Sequence, residues 1–463
     1  MDLNSWDTRL LLIIVLLAIN LILKLKSFRS SLDYDTSNHI YFAFLKYHKV
    51  PFFASYRFGV KKILPRLYTI GWKLLKTDPY RFRIFNIVSS SLVIILWVLT
   101  DSFIDDAEIP FYLLGTILIN SLWVNYMSSA TEFHSVALIM VMFFLPNIVP
   151  FQAAWILQLV LLAFLVGSFK IINGAYILPI LAFYDRQILE YLWLVIPGII
   201  LFSLYIFWGL SRNFLSVKQY VTNRKWLNPK SVKFIILNPH FCLFIFLLGI
   251  GNIYYNSWEW GLLQFVLWGI FLIQRCYTGY MFYPSLVLGL YIAFQTEWLC
   301  AIPFFWGLIL LFLFFAGHTF FHILIRSPRE IVLRFRKRIC MEDYSSYLGT
   351  RERQVQVLRD KVKKKDSVYL WGSDVVLLLL AKLIHTPNTF YSHNYLFYWS
   401  DIKDKQNYAI NYLLNEKPRY VIEASIVENM KFPIDKFKNM YTQIGSVGHM
   451  TVFERIGLKR SAI

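Results

Sequence analysis

Two aspartates and a histidine, Asp33, Asp35 and His39, stand in "SLDYDTSNHIY", directly after an apolar run long enough to cross a bilayer. An ionised carboxylate at a membrane edge can take the proton of an incoming hydroxyl, which is general-base chemistry. The same segment runs on into "FASYRFGVKKILPRLYTIGWKLLKTDPYRFR", where Arg57, Lys61, Lys62, Arg66, Lys73, Arg81 and Arg83 are interleaved with aromatic and apolar residues. A stretch of this kind suits the headgroup layer, with apolar stems in the lipid and charged heads in water. Its cations suit a phosphate anchored at that surface, because a charge-assisted contact gains strength outside bulk water. Each feature also has a plainer account: anionic lipid for the cations, and an acidic turn or a helix N-cap by Asp35 or Ser37 for the carboxylates.

A second polar set lies in "SSATEFHS", where Glu132 and His134 open a helix. Ser128 or Thr131 as cap, with Glu132 in the first turn, would account for it structurally. Lys170 and Arg275 each interrupt apolar sequence, and a cation at membrane depth is costly enough to suggest function, with snorkelling to the interface as the alternative. His318 and His322 are spaced to share one helix face, but no third ligand is in view and no metal site is assigned. Cys242, Cys276, Cys300 and Cys340 are scattered without metal-type spacing and imply neither zinc nor a disulfide framework.

The elements that must hold these residues follow from hydropathy. Of 463 residues, 57% are hydrophobic and 18% aromatic, and the mean hydropathy is +0.49. Soluble domains are roughly 45–50% apolar, so this is a membrane protein. Apolar runs of about 15–20 residues match a hydrocarbon core of roughly 30 Å. They fall near 8–26, 83–100, 110–126, 134–149, 152–168, 171–184, 192–210, 235–253, 258–274, 279–294 and 300–325, giving a polytopic α-helical membrane protein of about eleven transmembrane helices. The 171–184 run is short, and its separation from the preceding run rests on "GSFKIING". The first run lacks a basic leader and a small-residue cleavage site, so it reads as a retained helix.

After "HILIRSPRE" the pattern turns to that of a soluble α/β domain, which divides the chain into a membrane domain, 1–326, with a large first loop, 27–81, and a C-terminal domain, 327–463. In that tail "RERQVQVLRDKVKKK" is helical, "SVYLWG" and "KPRYVIEA" are strands, and "DVVLLLLAKLI" is too short to span and reads as a buried crossover helix. An odd helix count puts the 27–81, 127–133, 211–234 and 275–278 loops and the tail on one face.

Taken in order, these stretches resemble the GT-C superfamily of polyprenyl-phosphate-sugar-dependent membrane glycosyltransferases. "SLDYDTSNHIYFA" with "FGVKKILPRLY" resembles its acidic first loop, and "SATEFHSVALI" its small-residue-plus-Glu helix start. "VGSFKIINGAYILPIL" resembles its Gly-x-x-Lys-to-Pro segment, and "QRCYTGYMFYPSLVLGLYIA" its basic-then-Tyr-Pro helix start. "SVYLWGSDVVLLLLAKLIHTPNTFY" with "NEKPRYVI" resembles the tail of the protein-mannosyltransferase and aminoarabinose-transferase branch.

The resemblance implies transfer of a sugar, with inversion, from an undecaprenyl or decaprenyl phosphate to a hydroxyl of an envelope glycan, glycolipid or protein. It implies a multi-pass protein of the cytoplasmic membrane with its site and C-terminal domain on the periplasmic face, and no nucleic-acid partner. Asp35 or Asp33 would be the base, Asp35 matching the branch pattern somewhat better. Lys61, Lys62, Lys170, Arg275, Arg57 and Arg66 would hold the donor phosphate, and His39, Glu132, His134 and Tyr283 would line the substrate pocket. No cofactor is required, although a weakly bound divalent cation at the aspartate pair is compatible with it. The formal net charge of +19 falls mostly on the long-loop face, which the positive-inside rule would make cytoplasmic; lipid-phosphate recognition is a competing reason for those cations. Two other classes fit less well. A flippase for a lipid-linked glycan calls for charges deep in paired broken helices, and a glycan polymerase or ligase carries its soluble part mid-chain.

Overall fold

The structure, a computed structural model, describes residues 6–27, 34–49, 63–75, 84–101, 109–120, 131–168, 171–183, 239–274, 283–294, 345–363, 366–372, 374–384, 402–424 and 431–457, with single positions at 79, 82, 104 and 200. The chain divides into two compact units. One comprises Met1–Ser30, Tyr80–Arg212 and Lys225–Ser327; the other comprises Ser31–Pro79, Asn213–Arg224 and Pro328–Ile463. Residues 31–79 therefore group with the C-terminal residues 328–463.

In chain order the described helices are α1 (Trp6–Ser27), α2 (Tyr34–Tyr47), α3 (Ile63–Leu75), α4 (Ile84–Thr100), α5 (Ile109–Ile119), α6 (Thr131–Phe144), α7 (Phe151–Ser168), α8 (Ile177–Phe183), α9 (Pro239–Tyr255), α10 (Trp258–Gln274) and α11 (Tyr283–Phe294). All but α2 and α3 belong to the first unit. Among the described residues one helix, Trp6–Lys24, is long and apolar enough to cross a membrane, and six apolar helices are shorter. The expected spans within the described residues carry helix, but the 171–184 run is not one continuous span. A 3₁₀ stretch, Ile171–Tyr176, precedes the seven-residue α8, and Gly174 with Pro179 disfavours a longer regular helix there. The 300–325 run, His318 and His322 lie outside the described residues, as does nearly all of 192–210.

Helix α1 shows how this unit sorts its surface. Leu10, Leu11, Ile14, Leu21 and Ile22 are exposed, while Leu12, Leu16, Asn20 and Lys24 are buried. The exposed set is what lipid would solvate, and the buried set meets α4 and α5. Hydrogen bonds fix the helix directions. At one end the Arg9 guanidinium donates to the Asp101 carbonyl (2.7 Å) and the Tyr112 hydroxyl to the Asp101 carboxylate (2.6 Å). Toward the other end the Asn20 amide donates to Ser91 Oγ (3.1 Å), and Asn120 donates to Asn20 Oδ1 (3.0 Å). Thus α1 and α5 run antiparallel to α4, and the ends at Ser27, Ile84, Asn120 and Thr131 share one face, from which the 27–81 and 127–133 loops depart.

Helices α9, α10 and α11 are tied by one amide. Asn252 on α9 donates to Gln264 Oε1 on α10 (3.0 Å) and to the Gly289 carbonyl on α11 (2.9 Å). Close approach needs glycine here, because a Cβ at Gly249 would run into the Trp268 indole.

The second unit contains α2 and α3, then α12 (Ser345–Lys361), β1 (Val368–Gly372), α13 (Val375–Ala381), α14 (Ile402–Glu416), β2 (Tyr420–Ala424), α15 (Ile434–Phe437), β3 (Tyr441–Val447) and β4 (Met450–Arg455). The sheet order is β1-β2-β4-β3, with β1 and β2 parallel, Val368 opposite Tyr420, and β4 antiparallel to both neighbours. The two expected strands are the parallel pair. The β3–β4 hairpin, closed at Gly448 with φ +61°, is additional.

Tyr369, Trp371, Val421 and Phe453 join Ala409 and Leu413 of α14 and Phe432, Phe437 and Tyr441 in one core. The alternate strand residues Val368, Leu370 and Ile422 are also buried, so the parallel pair is covered on both faces, which is why "VYLW" is apolar throughout.

Candidate functional site

Asp35 falls in the first turn of α2 and His39 one turn further along the same helix, whereas Asp33 lies outside the described residues. Arg66 is on α3. Arg57, Lys61, Lys62, Lys170 and Arg275 lie outside the described residues. Glu132 and His134 occupy the first turn of α6, and Tyr283 begins α11, where it is fully buried. As expected, the 131–144 helix opens at Thr131 with Glu132 directly after it.

The backbone that carries Asp35 is held by its own unit. Ile40, Tyr41, Ala43, Phe44 and Leu45 of α2 are all buried. The Trp72 indole of α3 donates to the Ile40 carbonyl (3.0 Å) and packs on Phe44 with ring centroids 5.4 Å apart. On its other side α2 meets α13. That short helix is buried all round, at Val375, Val376, Leu377, Leu378, Leu379 and Ala381, because a crossover helix on a sheet still needs a cover for its outer face. It ends at Lys382, in the left-handed conformation with φ 56°, and Leu383 N–H closes the cap on the Leu378 carbonyl (2.9 Å). The Leu383 carbonyl then accepts the Tyr41 hydroxyl (2.9 Å). The acidic helix of the first loop is thus latched to the C-terminal domain. His48, beyond the last turn, lies against the Phe44 and Tyr47 rings (4.4 and 5.2 Å), and partial burial pushes its pKa below the usual histidine value.

α3 presents a different face. Ile70 and Leu74, one turn apart, are exposed together with Lys73. An apolar stripe flanked by cations fits a helix lying at a lipid surface.

In the membrane unit, polar side chains gather at the end from which the long loops depart. Asn20 and Lys24 are stacked on α1, both fully buried. On α4, Asn86, Ser89 and Ser90 share a face and are buried, and on α6 the His134 ring lies 2.7 Å from the Ser89 hydroxyl through Nδ1. Asn120 of α5 closes the set, donating also to the Thr116 carbonyl (2.7 Å). Of the residues named from sequence, His134 has a described partner in this cluster. Asn20, Lys24, Asn86, Ser89 and Asn120 are additions, and Lys24 was legible as a lysine inside an apolar run.

Among the described residues two asparagines, Asn86 and Asn256, have both amide atoms buried without a hydrogen-bond partner, and of the two Asn86 is the residue buried as a whole. A buried unsatisfied polar group costs about 1–3 kcal/mol, and membrane surroundings offer no water to relieve it.

No group of three or more His, Cys, Asp or Glu that could hold a metal occurs among the described residues.

No protein-family profile and no curated protein matches the chain. Two solved structures do. ArnT from Cupriavidus metallidurans bound to undecaprenyl phosphate aligns with a TM-score of 0.59 at 10% identity, over 96% of this chain and 98% of that one. The apo state of the same protein aligns with a TM-score of 0.59 at 11% identity, over 95% and 97%. The chain therefore shares the fold of ArnT over nearly its whole length.

Proposed function

We propose that the chain is an integral membrane glycosyltransferase that moves a hexosyl or pentosyl group, with inversion, from a polyprenyl phosphate to a hydroxyl of an envelope glycan, glycolipid or protein. The observation that carries this reading is the end-to-end likeness to a transferase structure holding undecaprenyl phosphate. The residues supply matching chemistry. Asp35 or Asp33 takes the proton of the acceptor hydroxyl. The freed oxygen attacks the anomeric carbon, the bond from that carbon to the phosphate oxygen breaks, and the lipid phosphate leaves with the electron pair. Negative charge grows on that phosphate, and fixed cations stabilise it most in the transition state. Arg57, Lys61, Lys62, Arg66, Lys170 and Arg275 are assigned to that task, and His39, Glu132, His134 and Tyr283 to the walls of the pocket. The 327–463 domain and the loops are assigned to the periplasmic side of the cytoplasmic membrane, with phosphate recognition as the reason for basic residues there.

The test is reconstitution of the full chain with undecaprenyl phosphate carrying different sugars, guided by mass spectrometry of envelope glycans from a strain lacking the gene. Replacing the acting base, Asp35→Asn or Asp33→Asn, should lower transfer by about 10²–10⁴-fold with normal expression. Full transfer by both single variants would sink the assignment. A reporter fused after Arg326 should be active only outside the cytoplasm, and cytoplasmic activity would reverse the proposed orientation.

A further inference from the structure

A protein of the membrane interior gains nothing in stability from an amide that it cannot satisfy, and Asn86 is buried with both amide atoms unpartnered. Native structures rarely leave such groups, and departures from this rule concentrate at functional sites. The absent partner is therefore sought in a ligand, and its chemistry can be read from the surroundings. Asn86 offers two donors and one acceptor. Ser89, three residues along the same helix, offers a hydroxyl, and its contact at 2.7 Å is the neutral-capable His134 ring. A phosphate or carboxylate brings acceptors alone and would leave the Asn86 oxygen facing another oxygen. An ammonium group brings donors alone and would leave the amide N–H groups unmet. Neighbouring hydroxyls of a sugar ring bring both at each position.

We propose that Asn86, with Ser89 and the His134 that braces it, forms a hydroxyl-binding subsite for the sugar carried by the lipid donor. It rests on the transferase reading above and adds the part of the donor that these residues hold: sugar hydroxyls at the loop end of α4 and α6, not phosphate. Asn86 is a specificity determinant, and Ser89 is oriented by His134.

The test compares lipid binding by the full-length protein in nanodiscs. The probes are undecaprenyl phosphate and the same lipid carrying glucose, mannose or 4-amino-4-deoxyarabinose. Wild type should bind at least one sugar-bearing lipid more tightly than the bare phosphate. Asn86→Leu, which keeps the heavy-atom count and branching of the amide side chain, should weaken that lipid roughly tenfold, as expected for the loss of one or two hydrogen bonds, and change undecaprenyl phosphate less than about twofold. Its unfolding midpoint should rise, because an unsatisfied amide has gone. Ser89→Ala should weaken the same lipid by roughly threefold.

A wild type without preference for any sugar-bearing lipid, or an Asn86→Leu protein with the wild-type preference, overturns the subsite while the transferase reading stands. A wild type that binds neither class of lipid overturns both. Asn86→Ala serves if leucine is not accommodated, with the same expected pattern of binding.

Discussion

The two units weight their polar contacts differently. In the unit built on the sheet, ion pairs predominate beside the buried Gln354 amide, which donates to the Val447 carbonyl (3.0 Å): Arg351 of α12 meets Asp374 ahead of α13, both about 95% buried, with His449 of the hairpin 3.5 Å from the same carboxylate. Arg419 bridges Asp366 and Glu454 at 3.2 Å each. In the helical unit, most knots are amides and hydroxyls, Asn20 with Ser91 and Asn120, Asn252 with Gln264, Ser89 with His134, and the Asp101 carboxylate that accepts from Tyr112 is the charged exception. A buried charge pair must recover a large desolvation cost, whereas helices packed in lipid are held by neutral groups whose burial costs less. Where the helical unit leaves a wholly buried amide unsatisfied, at Asn86, a ligand site is the natural place to look.

The contrast is broken most severely at Asp374. Asp374→Ala removes the carboxylate paired with the buried Arg351 guanidinium and should cost about 3–5 kcal/mol, measured as the unfolding midpoint of the full-length protein in detergent. A double variant, Arg351→Met with Asp374→Ala, should recover most of that loss. Failure to recover would mean that Asp374 acts through His449 or the α13 start and not through the pair.

Next in size is the packing of the helical unit. Gly249→Ala drives a methyl group into the Trp268 indole and should cost about 1–3 kcal/mol, while Asn252→Ala, which removes two interhelical bonds, should cost about 0.6–1.7 kcal/mol. Unfolding in the same detergent checks both. An amide loss as large as the Asp374 loss would erase the distinction between the units.

Tyr41→Phe removes the latch between α2 and the α13 cap and should cost about 0.5–1.5 kcal/mol. Hydrogen exchange of the 34–47 backbone in the full chain should rise locally, with the β2 and β4 amides unchanged.

Much of this was readable in the sequence, for physical reasons. The helices at 84–100, 151–168 and 258–274 follow from apolar length alone, and the parallel pair from "VYLWG" and "RYVIEA" bounded by Gly and Pro. The resemblance in motif order pointed to the fold that the structural likeness bears out. Three features were not legible. The β3–β4 hairpin has a half-exposed, mixed pattern, "YTQIGSV", without a strong alternation. The grouping of 31–79 with the C-terminal residues depends on the Tyr41 bond to Leu383 and on contacts between α2 and α13, which are distant in sequence. Asn86 reads as an ordinary polar residue near a helix start, and its burial without a partner is a property of packing alone.

The smallest effect separates the units by pH. Tyr420 donates to Glu454 (3.1 Å) beneath Arg419, whose guanidinium lies 5.2 Å from the ring centroid. Burial, and then the Glu454 charge, pushes its pKa from 10.0 up to about 12. The folded state therefore binds the phenol proton more tightly than the unfolded chain does. That stability is complete below pH 10 and is lost as pH rises through the folded value near 12. Tyr420→Phe should flatten this alkaline loss while lowering stability slightly at neutral pH, since the bond to Glu454 is gone. The Asn252 knot has no proton to exchange over the same range, so Asn252→Ala should shift the midpoint equally at pH 8 and pH 11. Calorimetry of the full-length variants at both pH values checks the pair, and a pH-dependent Asn252→Ala shift would show that the helical knots are coupled to charge after all.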